Sequence, residues 1–252
     1  MSAREGTRRW LIRDLDPDSR ARLFCLPVSG IGASVFRAWP TRIGDIEVCP
    51  IQLPGRENRM RDPAYTSMEE FARDAADALG PCLDRPFAFF GHCFGARLGY
   101  GLAAELARRS APLPQQLFAS SCLAPHRGGY FGGGRNGPFT PETTDEEYLA
   151  ELRYGAASRD EPEPPAELLA LSIRVLRADT SLTCGYTPAG PGPTPLDITT
   201  ISWTADTHTR PEEMDEWSAY GRVRQILLPG DDHTHRSAPD DLLRVIADGL
   251  PE

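Results

Sequence analysis

Three residue types with the power to do acyl chemistry sit at informative places in this 252-residue chain. The stretch FAFFGHCFGARLGYGLAAEL (87–106) reads as a buried strand that breaks at Gly91 and restarts as a helix, with Cys93 at the break. Gly91, Cys93 and Gly95 form GxCxG, the thiol version of GxSxG. A strand-to-helix turn of this kind holds its tip residue at strained dihedrals and crowds the positions two before and two after, so both must lack side chains. The helix start also offers partial positive charge and free N–H groups, which favour thiolate over thiol. Cys93 is therefore expected to be an activated nucleophile rather than an inert core thiol.

A nucleophile needs a base and an orienting acid. Of the five histidines, His92 adjoins the tip and points away from it, and His126 follows a strand end where it could line a substrate site. His208 lies two residues after a candidate acid. His233 and His235 follow the last strand in GDDHTHR, where a nucleophile–acid–base chain order places its base. His233, nearer the strand end, is the first choice and His235 the alternative. Asp206, just after DITTISW, is the expected acid, fixing the His233 tautomer and stabilising its imidazolium. Asp231 and Asp232 are its rivals, although aspartates in such loops commonly cap turns. An oxyanion would be met by the backbone N–H of Phe94 and by one from PVSGIGAS, with Ser29 as donor.

These groups must be held by a scaffold. Short apolar runs bounded by Gly, Pro or Asp predict strands at RRWLIRDL (8–15), RLFCLPV (22–28), IEVCPIQL (46–53), PFAFFG (86–91), QLFASSCLA (116–124), DITTISW (197–203) and RQILLPG (224–230). Helical patterns occupy 67–79, 96–109, 210–220 and 238–250. Near-continuous apolar strands alternating with amphipathic helices imply an α/β fold, a mostly parallel sheet covered by helices on both faces. The alternation fails at about 139–186, where two helical patterns follow each other without a strand. The Gly-rich RGGYFGGGRNG (127–137) precedes this segment and the Pro/Gly-rich TPAGPGPTP (187–195) follows it, so a helical lid inserted into a single domain is expected.

Composition narrows the class. About 40% hydrophobic and 25% charged residues are ordinary globular values. No run approaches the roughly 20 apolar residues of a membrane helix, and the N-terminus lacks a signal-peptide core, which predicts a cytoplasmic protein with no membrane partner. Six scattered cysteines without CxxC spacing argue against a disulfide framework or a zinc site. A net charge of −9 argues against nucleic-acid binding.

Four stretches, LFCLPVSGIGASVFRAW (23–39), IQLPGRENRM (51–60), FFGHCFGA (89–96) and LRADTSLTCGY (176–186), run in order along the chain. Together they closely resemble the type II thioesterases that accompany polyketide synthases and non-ribosomal peptide synthetases. The resemblance implies an α/β-hydrolase fold with a helical lid and a monomer needing no cofactor. It also implies action on acyl or aminoacyl thioesters held on the phosphopantetheine arm of a carrier protein. Cys93, Asp206 and His233 fall on that family's serine, aspartate and histidine, and Ser29 and Phe94 on its oxyanion positions. Two departures stand out: Ile31 replaces a usual second glycine in the oxyanion loop, and cysteine replaces serine. A serine acyl-enzyme is an oxyester suited to water; a cysteine acyl-enzyme is another thioester, from which a second thiol can take the acyl group. Hydrolysis is the first expectation. Transfer between carriers or acyl cyclisation is the second, and a non-catalytic carrier-binding module the third. An acidic carrier would need local arginines, for which Arg127, Arg135 and Arg153 are candidates.

Overall fold

The computed structural model describes residues 3–127, 130–134, 137–158, 162–186, 188 and 196–250. Among the described residues, nine strands run β1 Ala21–Leu26, β2 Arg42–Ile43, β3 Ile46–Pro50, β4 Phe87–His92, β5 Gln116–Ser120, β6 Tyr130–Gly134, β7 Gly137–Phe139, β8 Leu196–Trp203 and β9 Gly221–Leu228. Seven of them form one sheet in the order β2-β3-β1-β4-β5-β8-β9, parallel throughout except for the short β2–β3 pair. The helices are α1 Ala3–Trp10, α2 Met68–Leu79, α3 Phe94–Arg108, α4 Asp145–Ser158, α5 Ala166–Cys184 and α6 Asp240–Asp248.

Every residue of β1, β3 and β4 is buried, the signature of central parallel strands covered on both faces. Successive side chains of β4 go to opposite sides. Phe87 and Phe89 join the core with Phe24, Phe71, Leu98 and Leu102, whereas Ala88 and Phe90 join Trp39, Trp203, Leu242 and Ile246. The chain crosses from β3 over β1 to β4, so the winding direction reverses between β1 and β4. A crevice opens at the carboxyl ends of strands at such a reversal, and the loops after β1 and β4 carry Ser29 and Cys93.

Several expectations are corrected. RRWLIRDL is not a strand: residues to Trp10 belong to α1, and only Leu11 pairs in a bridge, with Ile51. Burial of Thr7, Trp10 and Leu11 follows helical spacing. Trp10 packs its ring on Tyr65 and Phe71, contacts that local sequence does not reveal. The helical pattern at 210–220 is a 3₁₀ helix, Pro211–Ala219. The glycine-rich run after His126 contains a two-stranded antiparallel hairpin, β6–β7. The chain from β5 to β8 then carries α4 and α5 in succession, while 189–195 lie outside the described residues. Among the described residues, no helix is long and apolar enough to cross a membrane.

Candidate active site

The turn after β4 has the geometry GxCxG demands. Cys93 sits between His92, the last strand residue, and Phe94, the first of α3, at φ 51° and ψ −114°. Its N–H donates to the Ser120 carbonyl at 2.8 Å, tying the tip to the end of β5. A Cβ on Gly91 would lie 2.1 Å from the Gly95 carbonyl carbon, and one on Gly95 would lie 2.3 Å from the Leu26 carbonyl oxygen. Both obstacles are backbone, so neither can yield cheaply. Gly91→Ala or Gly95→Ala is expected to destabilise the protein by at least about 3 kcal/mol, read as a fall in the urea midpoint; an unchanged midpoint would contradict this packing.

Cys93, Ser29, Asp206 and His233 all line one cavity of about 310 Å³, which Leu152 and Tyr154 of α4 and Leu176 of α5 also border. Phe94 borders Cys93 in a smaller adjoining cavity together with Arg97 and Cys122, and its N–H is directed at the Cys93 sulfur. Asp206 follows β8 by three residues. One of its carboxylate oxygens accepts from the N–H groups of His208 and Thr209 at 2.8 and 3.1 Å. The other is buried with no hydrogen-bond partner among the described residues. His233 follows β9 in a turn built by Asp231, whose carboxylate accepts from the His233 N–H and the Thr234 hydroxyl. Asp231 is thus a turn residue, while the Asp232 carboxylate lies 3.6 Å from His233 Nδ1.

Burial separates the two histidines that spacing leaves open. The His233 side chain is 37% exposed, at the cavity. His235 is 1% exposed, its Nδ1 meets the Asp232 carbonyl at 2.8 Å, and its ring lies on His92 with centroids 3.8 Å apart. His92 in turn hydrogen-bonds the Ser120 hydroxyl, which also accepts from the Trp203 indole. Burial pushes both imidazoles down, His235 to about 3, and His235 further opposes a charge on His92. A base held neutral in the fold but free to protonate near 6.5 when unfolded supplies stability above pH 6.5 that is lost as pH falls toward the folded value. His235 alone is expected to cost about 2 kcal/mol of stability between pH 7 and 5, measurable by urea titration at the two pH values; His235→Phe should flatten that dependence.

The thiol is not lowered as expected from the helix start. Burial pushes Cys93 up to about 12, and the neighbouring Cys122 adds to the rise, outweighing the lowering by Arg97 and the Phe94 N–H. Desolvation of a charge inside the cavity wins over the helix terminus. Resting Cys93 is consequently a neutral thiol that requires a base. His126 is not brought to the cavity: its Nδ1 meets the Tyr220 hydroxyl at 2.9 Å and its Nε2 lies 3.2 Å from Glu216. Among the arginines considered for docking, Arg127 is 3.4 Å from Glu216 and Arg153 pairs with Glu163 at 2.6 Å, while Arg135 lies outside the described residues.

Four residues left without roles by motif reading build the loop after β1. Gln52 Oε1 accepts from Ala33 N–H, and its Nε2 donates to the Arg56 carbonyl. Glu57 accepts from the Gly32 and Ser34 N–H groups. Arg56 donates to the Ile31 carbonyl and, through both terminal nitrogens, to Asp179 of α5 at 3.0 and 2.6 Å. QLPGRE is therefore a polar cradle for residues 30–34.

Residues 21–248 match the family model described as "Thioesterase domain". The chain belongs to the thioesterase family. Linear gramicidin dehydrogenase LgrE of Brevibacillus parabrevis is 31% identical over 96% of the chain and 92% of that protein; its name is an oxidoreductase's. The structure of RedJ, a thioesterase from the prodiginine biosynthetic pathway in Streptomyces coelicolor, is 32% identical with a TM-score of 0.77, covering 96% of this chain and 99% of that one. That of BorB, the type II thioesterase from the borrelidin biosynthetic cluster, is 25% identical with a TM-score of 0.78 over 96% and 98%. The mostly parallel seven-stranded sheet and its helices are accordingly the α/β-hydrolase fold of thioesterases, and this thioesterase carries cysteine at the tip of its strand-to-helix turn.

Proposed function

We propose that this thioesterase releases acyl or aminoacyl groups from the phosphopantetheine thiol of a carrier protein through a Cys93 acyl-enzyme. The observation that carries the reading is the convergence of Cys93, at the strained tip, with His233 and Asp206 on one cavity. His233 accepts the thiol proton as sulfur attacks the thioester carbonyl. Oxyanion charge develops opposite the Ser29 and Phe94 N–H groups, and Asp206 stabilises the imidazolium. Collapse breaks the bond to the carrier sulfur, which leaves with the proton from His233. Water, deprotonated by His233, then adds to the acyl-enzyme and the acid departs, restoring the thiol. Helices α4 and α5 wall the cavity.

A second reading follows from the sulfur itself. Because substrate and intermediate are both thioesters, a second carrier thiol can replace water and carry the acyl group away at little cost in free energy. Intact mass spectrometry of the protein with an acyl-loaded carrier, with and without a second unloaded holo-carrier, tests both. Free acid accumulating regardless of the second carrier supports hydrolysis; acyl mass passing through Cys93 onto the second carrier supports transfer. Absence of any acyl mass on the protein during turnover would sink the acyl-enzyme.

A further inference from the structure

Helix α5 carries, five residues from its end, an aspartate with 0% exposure. A buried carboxylate is costly unless its charge is paired and its oxygens are hydrogen-bonded. Asp179 meets both conditions through the loop after β1 and its cradle. Its Oδ2 accepts from the Ser29 hydroxyl at 2.9 Å, from the Gly30 N–H at 2.9 Å and from Arg56 Nη1 at 3.0 Å, while Oδ1 accepts from Arg56 Nη2 at 2.6 Å. Gly30 sits at φ +76°, and a Cβ there would come within 3.0 Å of Leu176, one turn earlier on α5. The helix is thus seated directly on the loop, by packing and by charge.

We infer that Asp179 is a positioning residue that sets the oxyanion loop from the helix above it. The inference rests on the proposed acyl-enzyme reading. By taking the Gly30 N–H and the Ser29 hydroxyl for itself, Asp179 fixes the peptide plane between them and leaves the Ser29 N–H as the donor available to the cavity. Oxyanion stabilisation depends on donors held in place before charge develops, and Arg56 holds the carboxylate that holds them. A consequence is that α5 is a fixed wall: moving it would break four hydrogen bonds and strand a buried charge. Substrate access then depends on the other elements over the cavity.

The test compares Asp179→Asn and Ser29→Ala with wild type in single-turnover acylation by an acyl-loaded carrier. Alkylation of Cys93 by iodoacetamide, read by peptide mass, serves as the parallel readout, because that reaction develops no oxyanion. The expected result for Asp179→Asn is acylation about 30-fold slower, KM changed less than about threefold, and Cys93 alkylation within about twofold of wild type. Ser29→Ala, which removes only the hydroxyl link, should slow acylation about fivefold. If Asp179→Asn does not fold, Asp179→Asn combined with Arg56→Met removes both charges and carries the comparison, with acylation still expected to be slow. A folded Asp179 variant that acylates at the wild-type rate, or one whose acylation and alkylation fall in parallel, overturns the positioning role. Failure of the acyl-enzyme reading is distinct: it would appear as turnover by Cys93→Ala, whatever the Asp179 variants do.

Discussion

Cys93→Ala is expected to lower turnover at least a thousandfold and to abolish the acyl-protein adduct, because the proposed intermediate is carried on its sulfur. Cys122 is close enough to influence the Cys93 thiol, but it is buried 3% exposed, its sulfur directed at the Leu123 carbonyl, and burial pushes its own thiol up. It is no substitute. Release of acyl groups by Cys93→Ala at the wild-type rate would remove Cys93 from the mechanism, and with it the meaning of the GxCxG turn. Cys93→Ser separates the two acceptors. An oxyester intermediate still surrenders its acyl group to water, whereas return to a carrier thiol is uphill. Hydrolysis is therefore expected to persist in the serine variant while transfer to a second holo-carrier falls at least about tenfold relative to hydrolysis.

His233→Ala is expected to cost about 10²- to 10⁴-fold in kcat/KM at pH 7, and the pH profile identifies why. With the thiol pushed up by burial, thiolate is a small minority at pH 7 without help. Removing the base leaves that fraction as the sole nucleophile. The variant's rate should then climb about tenfold per pH unit from 7 to 9, because the thiol titrates far above this range, while the wild type stays nearly level. A His233→Ala profile as level as the wild type would mean that another group takes the proton. His235→Phe is the matched comparison: its ring is packed on His92 and its Nδ1 is occupied by a carbonyl, so kcat should change by less than about threefold.

What the sequence disclosed divides along a physical line. The β4 strand, its turn and α3 were legible because each residue there is dictated locally: alternating apolar residues fill two core faces, and Gly91 and Gly95 answer backbone atoms within a few residues or on the adjacent strand. RRWLIRDL was not, since its apolar spacing suits either a strand or a helix, and contacts with Tyr65 and Phe71 decide. The choice between His233 and His235 is invisible at a separation of two residues. Both border the cavity and differ in burial, His233 being 37% exposed and His235 1%. The thiol's charge state was misjudged because a helix start is visible in sequence and desolvation is not. Least legible was the partnership of Ser29 and Arg56 with Asp179, groups 150 and 123 positions away in the chain. Motif reading marks both segments as characteristic and is silent on what joins them.

The stacked pair His92 and His235 bears on how activity data from this protein are to be interpreted. In a conventional rate profile a decline toward acid is credited to the general base gaining its proton. Here a second event shares that interval, since two imidazoles pressed face to face and shut away from water gain protons only by coming apart. A fall in stability toward acid therefore accompanies the ionisation of the base. Reading the urea midpoint beside the rate at each pH separates the two contributions, and the ionisation of the base is assigned from the rate at conditions where the midpoint shows the fold intact.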